Sequence, residues 1–356
     1  MIKLFLIIIM GVLSSCSKEN IMENNLMKID QIFSDYNSLG MPGAAVMIIQ
    51  DGTPILQKGF GMADLKQGLP VTPKTNFRLA SITKQFTAMS ILQLVERGNL
   101  SLDTTLLDIF SEFPDYGKII TIKDLLHHTS GLYDYEGLEP KGQVRQLKDK
   151  DVLTSMMSME GAYFPAGEKH RYSNTAYAAL TQIIEKETGI TFGNYLKNNI
   201  FDPLDMDNTL AYENGINEVS NRAYGYTIEE SGVRLTDQNK YSAVLGDGGI
   251  YSNLEDLYRW DQSLYTYQLL GQQYLDAAFS NHKTSRGKLM NYGYGWRIEN
   301  YKNMDILYHT GSSIGFRNII YRIPSKNFTV VILTNRDAGG EFSKLTSAHK
   351  IIDIFF

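Results

Sequence analysis

Ala44-Ala45-Val46-Met47-Ile48-Ile49, then Asp51-Gly52, then Ile55 to Phe60, decides how the chain begins to fold. An unbroken apolar run of this length reads as a buried strand. Asp-Gly is the residue pair of a two-residue hairpin turn, so Ile55 to Phe60 is the returning strand. Upstream, roughly Met22 to Ser38 reads as an amphipathic helix that Pro42-Gly43 breaks. The fold therefore opens with a helix and an antiparallel pair.

Downstream, from Ser81 to about Tyr212, the pattern turns helical. Ile82 to Arg97 carries Phe86, Met89, Leu92, Leu94 and Val95 and is stopped by Gly98-Asn99. Thr121 to His128 reads as a short capped helix, and Asn174 to Thr188 and Phe192 to Asn199 as two more. Strand patterns return at Gly249–Tyr251, Tyr292–Ile298, Ile306–Tyr308, Phe316–Ile323 and Phe328–Leu333, and Glu341 to Ile352 closes as a helix. The economical architecture is α+β. One antiparallel sheet is built from the N- and C-terminal segments and flanked by helices, with a mainly helical region inserted at about 82–245. A site belongs in the groove between the two parts.

The bulk numbers fit one large domain or two ordinary ones: 356 residues, 43% hydrophobic and 21% charged. A net charge of −5 gives no electrostatic footprint for nucleic acid. The N-terminus is distinctive. Lys3 precedes the apolar run Leu4–Leu13, which is too short to span a bilayer, since that takes ~20 apolar residues. It suits the apolar region of a signal peptide. Leu13-Ser14-Ser15-Cys16 resembles a lipobox, and Cys16 is the single cysteine, so it has no internal disulfide partner. The expectation is a lipoprotein signal at 1–15, lipidation at Cys16, a tether at 16–29 and a catalytic domain at 30–356, held at the membrane face of a bacterial cell envelope. Plain secretion with an incidental cysteine is the alternative.

Three short motifs carry chemistry. Ser81-Ile82-Thr83-Lys84 is a Ser-x-x-Lys pattern, which on a helix sets the amine one turn from the hydroxyl on the same face. The amine then acts as a base or as a positive charge, and a helix N-terminus favours an oxyanion. The same pattern begins at Ser15, Ser280, Ser285 and Ser347. Only Ser81 stands where a hairpin region hands over to a long apolar helix; by itself it could simply be an N-cap. Tyr172-Ser173-Asn174 is the second motif. A tyrosine becomes a general base if its pKa falls two or three units from ~10, which takes roughly 3–4 kcal/mol of field from nearby cations. An Asn offers both donor and acceptor to a substrate amide. Tyr251-Ser252-Asn253 repeats the pattern, but there Ser252 and Glu255 read as a capping box. His309-Thr310-Gly311 is the third motif, following the strand Ile306–Tyr308; it is either a strand edge that binds an extended substrate or a surface turn.

In this order, and with the longer stretches around them, the motifs resemble the class C β-lactamase and DD-peptidase family. Those stretches are Val71-Thr72-Pro73-Lys74-Thr75-Asn76-Phe77-Arg78-Leu79-Ala80-Ser81-Ile82-Thr83-Lys84, Ile122-Lys123-Asp124-Leu125-Leu126-His127-His128-Thr129-Ser130-Gly131-Leu132, Gly248-Gly249-Ile250-Tyr251-Ser252, and His309-Thr310-Gly311-Ser312-Ser313-Ile314-Gly315-Phe316. The resemblance covers Asp30 to the C-terminus. It implies that Ser81 is the acylated nucleophile, that Lys84 and Tyr172 share the proton work, and that Asn174 holds the substrate amide. It also implies an oxyanion hole from the N–H groups of Ser81 and Ser312, with His309, Thr310 and Gly311 lining the opposite wall. No cofactor or metal is implied. The substrate would be a small peptide, ester or β-lactam. β-Lactamases usually carry Lys where His309 stands; His-Thr-Gly looks more like the DD-carboxypeptidase branch and also occurs among esterase- and amidase-like relatives. An unperturbed imidazole there, with a pKa near ~6.5, would give carboxylate substrates a pH-dependent partner.

Rival readings fit less well. Gly311-Ser312-Ser313-Ile314-Gly315 matches the G-x-S-x-G of α/β-hydrolases, with Asp337 and His349 following, but strand patterns come after it where a helix should. A glycine that permits close backbone approach is the better account of Gly311. The six histidines include no H-E-x-x-H, and adjacent His127-His128 point to different helix faces. A non-catalytic binding protein would be free to lose the nucleophile, the lysine or the tyrosine, and all three are present.

Overall fold

A computed structural model describes residues 22–38, 40–138, 142, 144–337 and 344–356. The proposed signal, Cys16 and the first part of the tether, to residue 21, lie outside the described residues. Six strands form the central sheet: β1 (Ala44–Gln50), β2 (Thr53–Phe60), β3 (Arg297–Tyr301), β4 (Met304–Ser313), β5 (Phe316–Ile323) and β6 (Phe328–Thr334). Their order is β3-β4-β5-β6-β1-β2, and every neighbouring pair is antiparallel. The two ends of the chain thus meet at the β1–β6 pairing, with Ala44 opposite Thr334 and Ile49 opposite Thr329. Asp51 and Gly52 both take positive φ (51° and 75°), the geometry of the hairpin turn that their residue types demand.

β1 is apolar from Ala44 to Ile49 because both of its faces are covered there. Ala44, Val46 and Ile48 pack with Ile319, Tyr321, Val330 and Ile332 beneath two terminal helices. These are α1 (residues 22–32) and the C-terminal helix Lys344–Phe355, which contribute Ile29, Ala348, Ile351 and Ile352. Ala45, Met47 and Ile49 face the other way, into a larger core shared with the inserted helices. The insert contributes α2 (Lys84–Glu96) and α3 (Asn174–Thr188), both almost wholly buried along their inner sides.

Most of the expected elements are present, with shifted bounds. Tyr292 is not in a strand: Gly293 donates to the Trp296 carbonyl in a tight turn, and β3 starts only at Arg297. The His309 tripeptide lies within β4 rather than after it. The cap before Leu254–Ser263 is Asn253, whose side chain accepts from the Asp256 N–H, while the Ser252 hydroxyl pairs with that of Thr209. One hairpin, Tyr226–Glu229 with Gly232–Leu235, had no counterpart in the sequence reading.

Candidate active site

Ser81 sits in a 3-10 turn, Ala80–Thr83, that runs directly into α2. Ala80 before it has φ 52°, a left-handed conformation that costs an L-residue roughly 1–2 kcal/mol. Neighbours hold it there. The Leu79 N–H donates to the Ile250 carbonyl, and Gly311 of β4 lies so close that a Cβ would fall 2.0 Å from the Leu79 oxygen. Gly311 is therefore glycine because backbone meets backbone, which brings the Ser81 turn against the Ser312 end of β4. Both serines line one cleft of about 300 Å³, together with Arg78, Tyr135, Glu136, Asn174, Asn239, Asp247 and Gly248. A larger hollow of about 570 Å³, at Tyr212 and Arg222, contains none of the motif residues.

Lys84 is wholly buried at the base of this cleft. Its ammonium donates to Ser81 Oγ at 3.2 Å, Asn174 Oδ1 at 2.9 Å and the Asp247 carbonyl at 2.8 Å. Three donors meet three acceptors, which is what a buried ammonium requires. The same nitrogen lies 4.9 Å from the ring centroid of Tyr172 and 5.5 Å from that of Tyr177. The loop carrying Asp247 is fixed in turn by buried Asp149, whose carboxylate accepts from the N–H groups of Leu245 and Gly246. Burial raises the Asp149 pKa to about 8.

The Tyr172-Ser173-Asn174 motif divides its labour by position. The Ser173 hydroxyl caps α3, accepting from the Ala176 N–H at 3.1 Å. Asn174, at the first turn, bridges Lys84 and Glu136: its Nδ2 donates to Glu136 Oε1 at 3.4 Å. The Tyr172 hydroxyl is buried with no hydrogen-bond partner among the described residues. An unpaired buried hydroxyl is costly, and native structures keep few of them. A second hollow of about 280 Å³, lined by Tyr172, Asn174, Tyr135, Glu136 and Asp134, continues from the cleft.

His309 differs from its expected setting. It is buried at 1% exposure, and its ring bonds Tyr292 Oη through Nε2 at 3.0 Å and the Thr310 carbonyl through Nδ1 at 2.8 Å. Burial first, then Arg297 and Lys84, push its pKa well below the ordinary imidazole range. It is a neutral support 6.1 Å from the Tyr172 ring, not a titrating group in the cleft wall. The reason is the period of two along β4: Leu307, His309 and Gly311 share the face turned toward the inserted region. The strand wall of the cleft is Ser312, Ser313 and Ile314; the expected wall residues Thr310 and Gly311 are not among its lining, Thr310 pairing opposite Ile319 and Gly311 opposite Asn318.

Several residues of the site carried no signal of their own in the sequence. His128, at φ 61°, stacks 4.3 Å from Tyr172 and accepts the Ser173 N–H on Nδ1. The conspicuous His127-His128 pair was the available clue; His127 instead stacks on Tyr294 and His282. Lys344 reaches from the C-terminal helix to Ser312 Oγ. The elbow reading of Ser312-Ser313 fails, since both lie at the end of β4 facing β5, and His349 is stacked on Tyr301 at 3.9 Å on the other face of the sheet.

A serine on a strained turn, a buried lysine that bonds it, and a sheet strand alongside define the class: a serine hydrolase that works through an acyl-enzyme. The chain belongs to the Beta-lactamase family, whose family model matches residues 29–351. It is 28% identical over 337 residues to Penicillin-binding protein 4* of Bacillus subtilis (strain 168), covering 90% of this chain and 74% of that one. It is also 28% identical over 322 residues to Protein flp of Staphylococcus aureus (strain MRSA252), covering 86% of this chain and 62% of that one. Among solved structures it is similar to the octameric penicillin-binding protein homologue from Pyrococcus abyssi, with a TM-score of 0.78 at 27% identity over 94% of this chain and 76% of that one. The family resemblance read from the motifs, and the sheet with its helical insert, therefore stand.

Proposed function

We propose that Ser81 attacks the carbonyl of a small amide or ester, in the manner of a DD-peptidase, and is released from the acyl-enzyme by water. The observation that carries this reading is the Lys84 ammonium, bonded at once to Ser81 Oγ and Asn174 Oδ1 beneath the ring of Tyr172. Lys84 holds the Ser81 oxygen in place and supplies positive charge. The proton of Ser81 passes to the Tyr172–Lys84 pair as the new C–O bond forms, and returns to the leaving group as the old bond breaks. The N–H groups of Ser81 and Ser312 receive the oxyanion. Asn174 Nδ2 orients the substrate amide. Water then takes the path of the leaving group in reverse.

The test is labelling by a fluorophosphonate, followed by a hydrolysis panel of D-Ala-D-Ala peptides, nitrocefin, short esters and D-amino amides. Turnover of the peptides supports the DD-peptidase-like reading; turnover of esters or nitrocefin alone moves the chain to an esterase or a weak β-lactamase of the same fold. Absence of any adduct overturns the enzymatic reading. We further propose that Cys16 is lipidated and holds the domain at the bacterial cell envelope. No helix of the described residues is long and apolar enough to cross a membrane. Cys16→Ser should move the protein from the membrane to the soluble fraction; an unchanged distribution would refute the anchor.

A further inference from the structure

The cleft has an uneven charge. Three cations stand at its walls: Lys84 has all three donors engaged, Arg78 is 2% exposed and donates through one guanidinium nitrogen to the Ser242 carbonyl, and Lys344 donates to Ser312 Oγ. Its anions are disposed differently. Asp247 is buried and accepts from Tyr135 Oη at 3.0 Å. Asp134, in the adjoining hollow, is paired with Arg171 at 2.7 Å. Glu136 is the exception: it is exposed, lines both hollows, and has no ion-pair partner among the described residues. Its one hydrogen bond, a long one, is to the Nδ2 of Asn174. Asn174 is one hydrogen bond from the lysine that holds Ser81. A substrate seated on Ser81 therefore meets a bare carboxylate next to the asparagine that takes its amide.

We propose that Glu136 sets substrate preference by pairing with a free ammonium carried on the acyl part of the substrate, so that the chain favours aminoacyl amides and esters with an unblocked amine over their N-acylated counterparts. The inference rests on Ser81 chemistry as proposed above. Three features of the site support it. A carboxylate repels an acidic acyl group and leaves a neutral one indifferent; only a cation gains from it. None of the cations at the cleft pairs with Glu136: Lys84 donates to three protein acceptors, Arg78 is 2% exposed, and Lys344 donates to Ser312 Oγ. Although the residue is exposed as a whole, partial burial of its carboxyl and then the nearby Asp247 push that carboxyl above its ordinary range, with the Asn174 hydrogen bond opposing, and an arriving ammonium would relieve that repulsion. Because Glu136 stands at the mouth of the cleft, the pairing is partly screened, and its effect on KM is about fivefold to tenfold rather than thousands.

The test uses two matched substrates, D-alanine p-nitroanilide and its N-acetyl derivative, with the L-forms run in parallel. The expected result is a KM for the free amine about fivefold or more below that of the acetylated compound, a ratio that falls toward one in Glu136→Gln and is restored in part by Glu136→Asp. Added salt should shrink the ratio in the natural protein and not in Glu136→Gln. A ratio of one in the natural protein, or a ratio that survives Glu136→Gln, overturns the proposal. Fluorophosphonate labelling of every variant separates the two failures. A labelled protein with no preference refutes the role of Glu136 alone, whereas a natural protein that takes no label refutes the Ser81 chemistry and the inference with it.

Discussion

Lys84 Nζ lies 4.9 Å from the centre of the Tyr172 ring, yet none of its three hydrogen bonds goes to the Tyr172 hydroxyl. The cation meets the face of the ring, and the hydroxyl beyond it is buried without a partner among the described residues. Tyr172 can therefore lose its oxygen without breaking a single hydrogen bond of the resting protein. Tyr172→Phe should keep the thermal midpoint within a degree or two and still lower turnover by a factor of roughly 10² or more, as loss of a general base does. Turnover near that of the natural protein would leave the proton work to Lys84 alone.

Ser81→Ala should abolish the fluorophosphonate adduct seen by intact-mass measurement. The substitution removes one acceptor of Lys84 but leaves Asn174 Oδ1 and the Asp247 carbonyl in place. The fold should survive, and an adduct that persists would point to another serine.

His309 gives a pH prediction opposite to the one its sequence context suggests. Held neutral by burial, Arg297 and Lys84, it adds no charge between pH 6 and pH 8. Substrate carboxylates should show no KM step near ~6.5 that His309→Gln removes. His309→Lys would bury a cation between Tyr292 and the Thr310 carbonyl, and should cost about 3 kcal/mol or more in a urea titration. A stable His309→Lys with improved binding of carboxylate substrates would show that residue 309 reaches the cleft after all.

His127 supplies a stability test away from the reacting atoms. Burial, with smaller contributions from His282, Lys123 and His170, lowers its pKa to about 2. The folded protein keeps this ring neutral at pH 5.5, while the unfolded chain protonates it below ~6.5. Its contribution is therefore present above the unfolded pKa and is lost as pH falls. Between pH 7.5 and pH 5.5 the natural protein should lose about 1.4 kcal/mol more than His127→Phe, which keeps a ring against Tyr294. Equal losses in urea titrations at the two pH values would mean that the ring is protonated in the fold.

What could be read in advance follows from the range of the interactions. The β1 hairpin was legible because Asp51-Gly52 is a local instruction, and Ser81 because its motif sits in a long matching block. Bounds shifted where a turn competed with a strand, as at Tyr292 to Arg297. The disposition of His309 was not legible, because it depends on Tyr292 arriving from another segment and on which face of β4 the residue takes. Glu136 was hidden for a related reason: only the packing of its loop against α3 sets it beside Asn174. The hairpin Tyr226–Glu229 with Gly232–Leu235 is mostly exposed, so no run of apolar residues marks it.

The pairing of Ala44 with Thr334 ties the first strand of the sheet to the last. During synthesis the β6-facing edge of β1 has nothing to pair with until nearly the whole polypeptide has emerged. Loop closure over such a span makes sheet completion a slow, late event. Until then an apolar strand with open backbone groups is a template for association with other chains. A nascent chain interrupted before Phe328 should consequently be prone to aggregation and dependent on chaperones, however well its helical insert has formed.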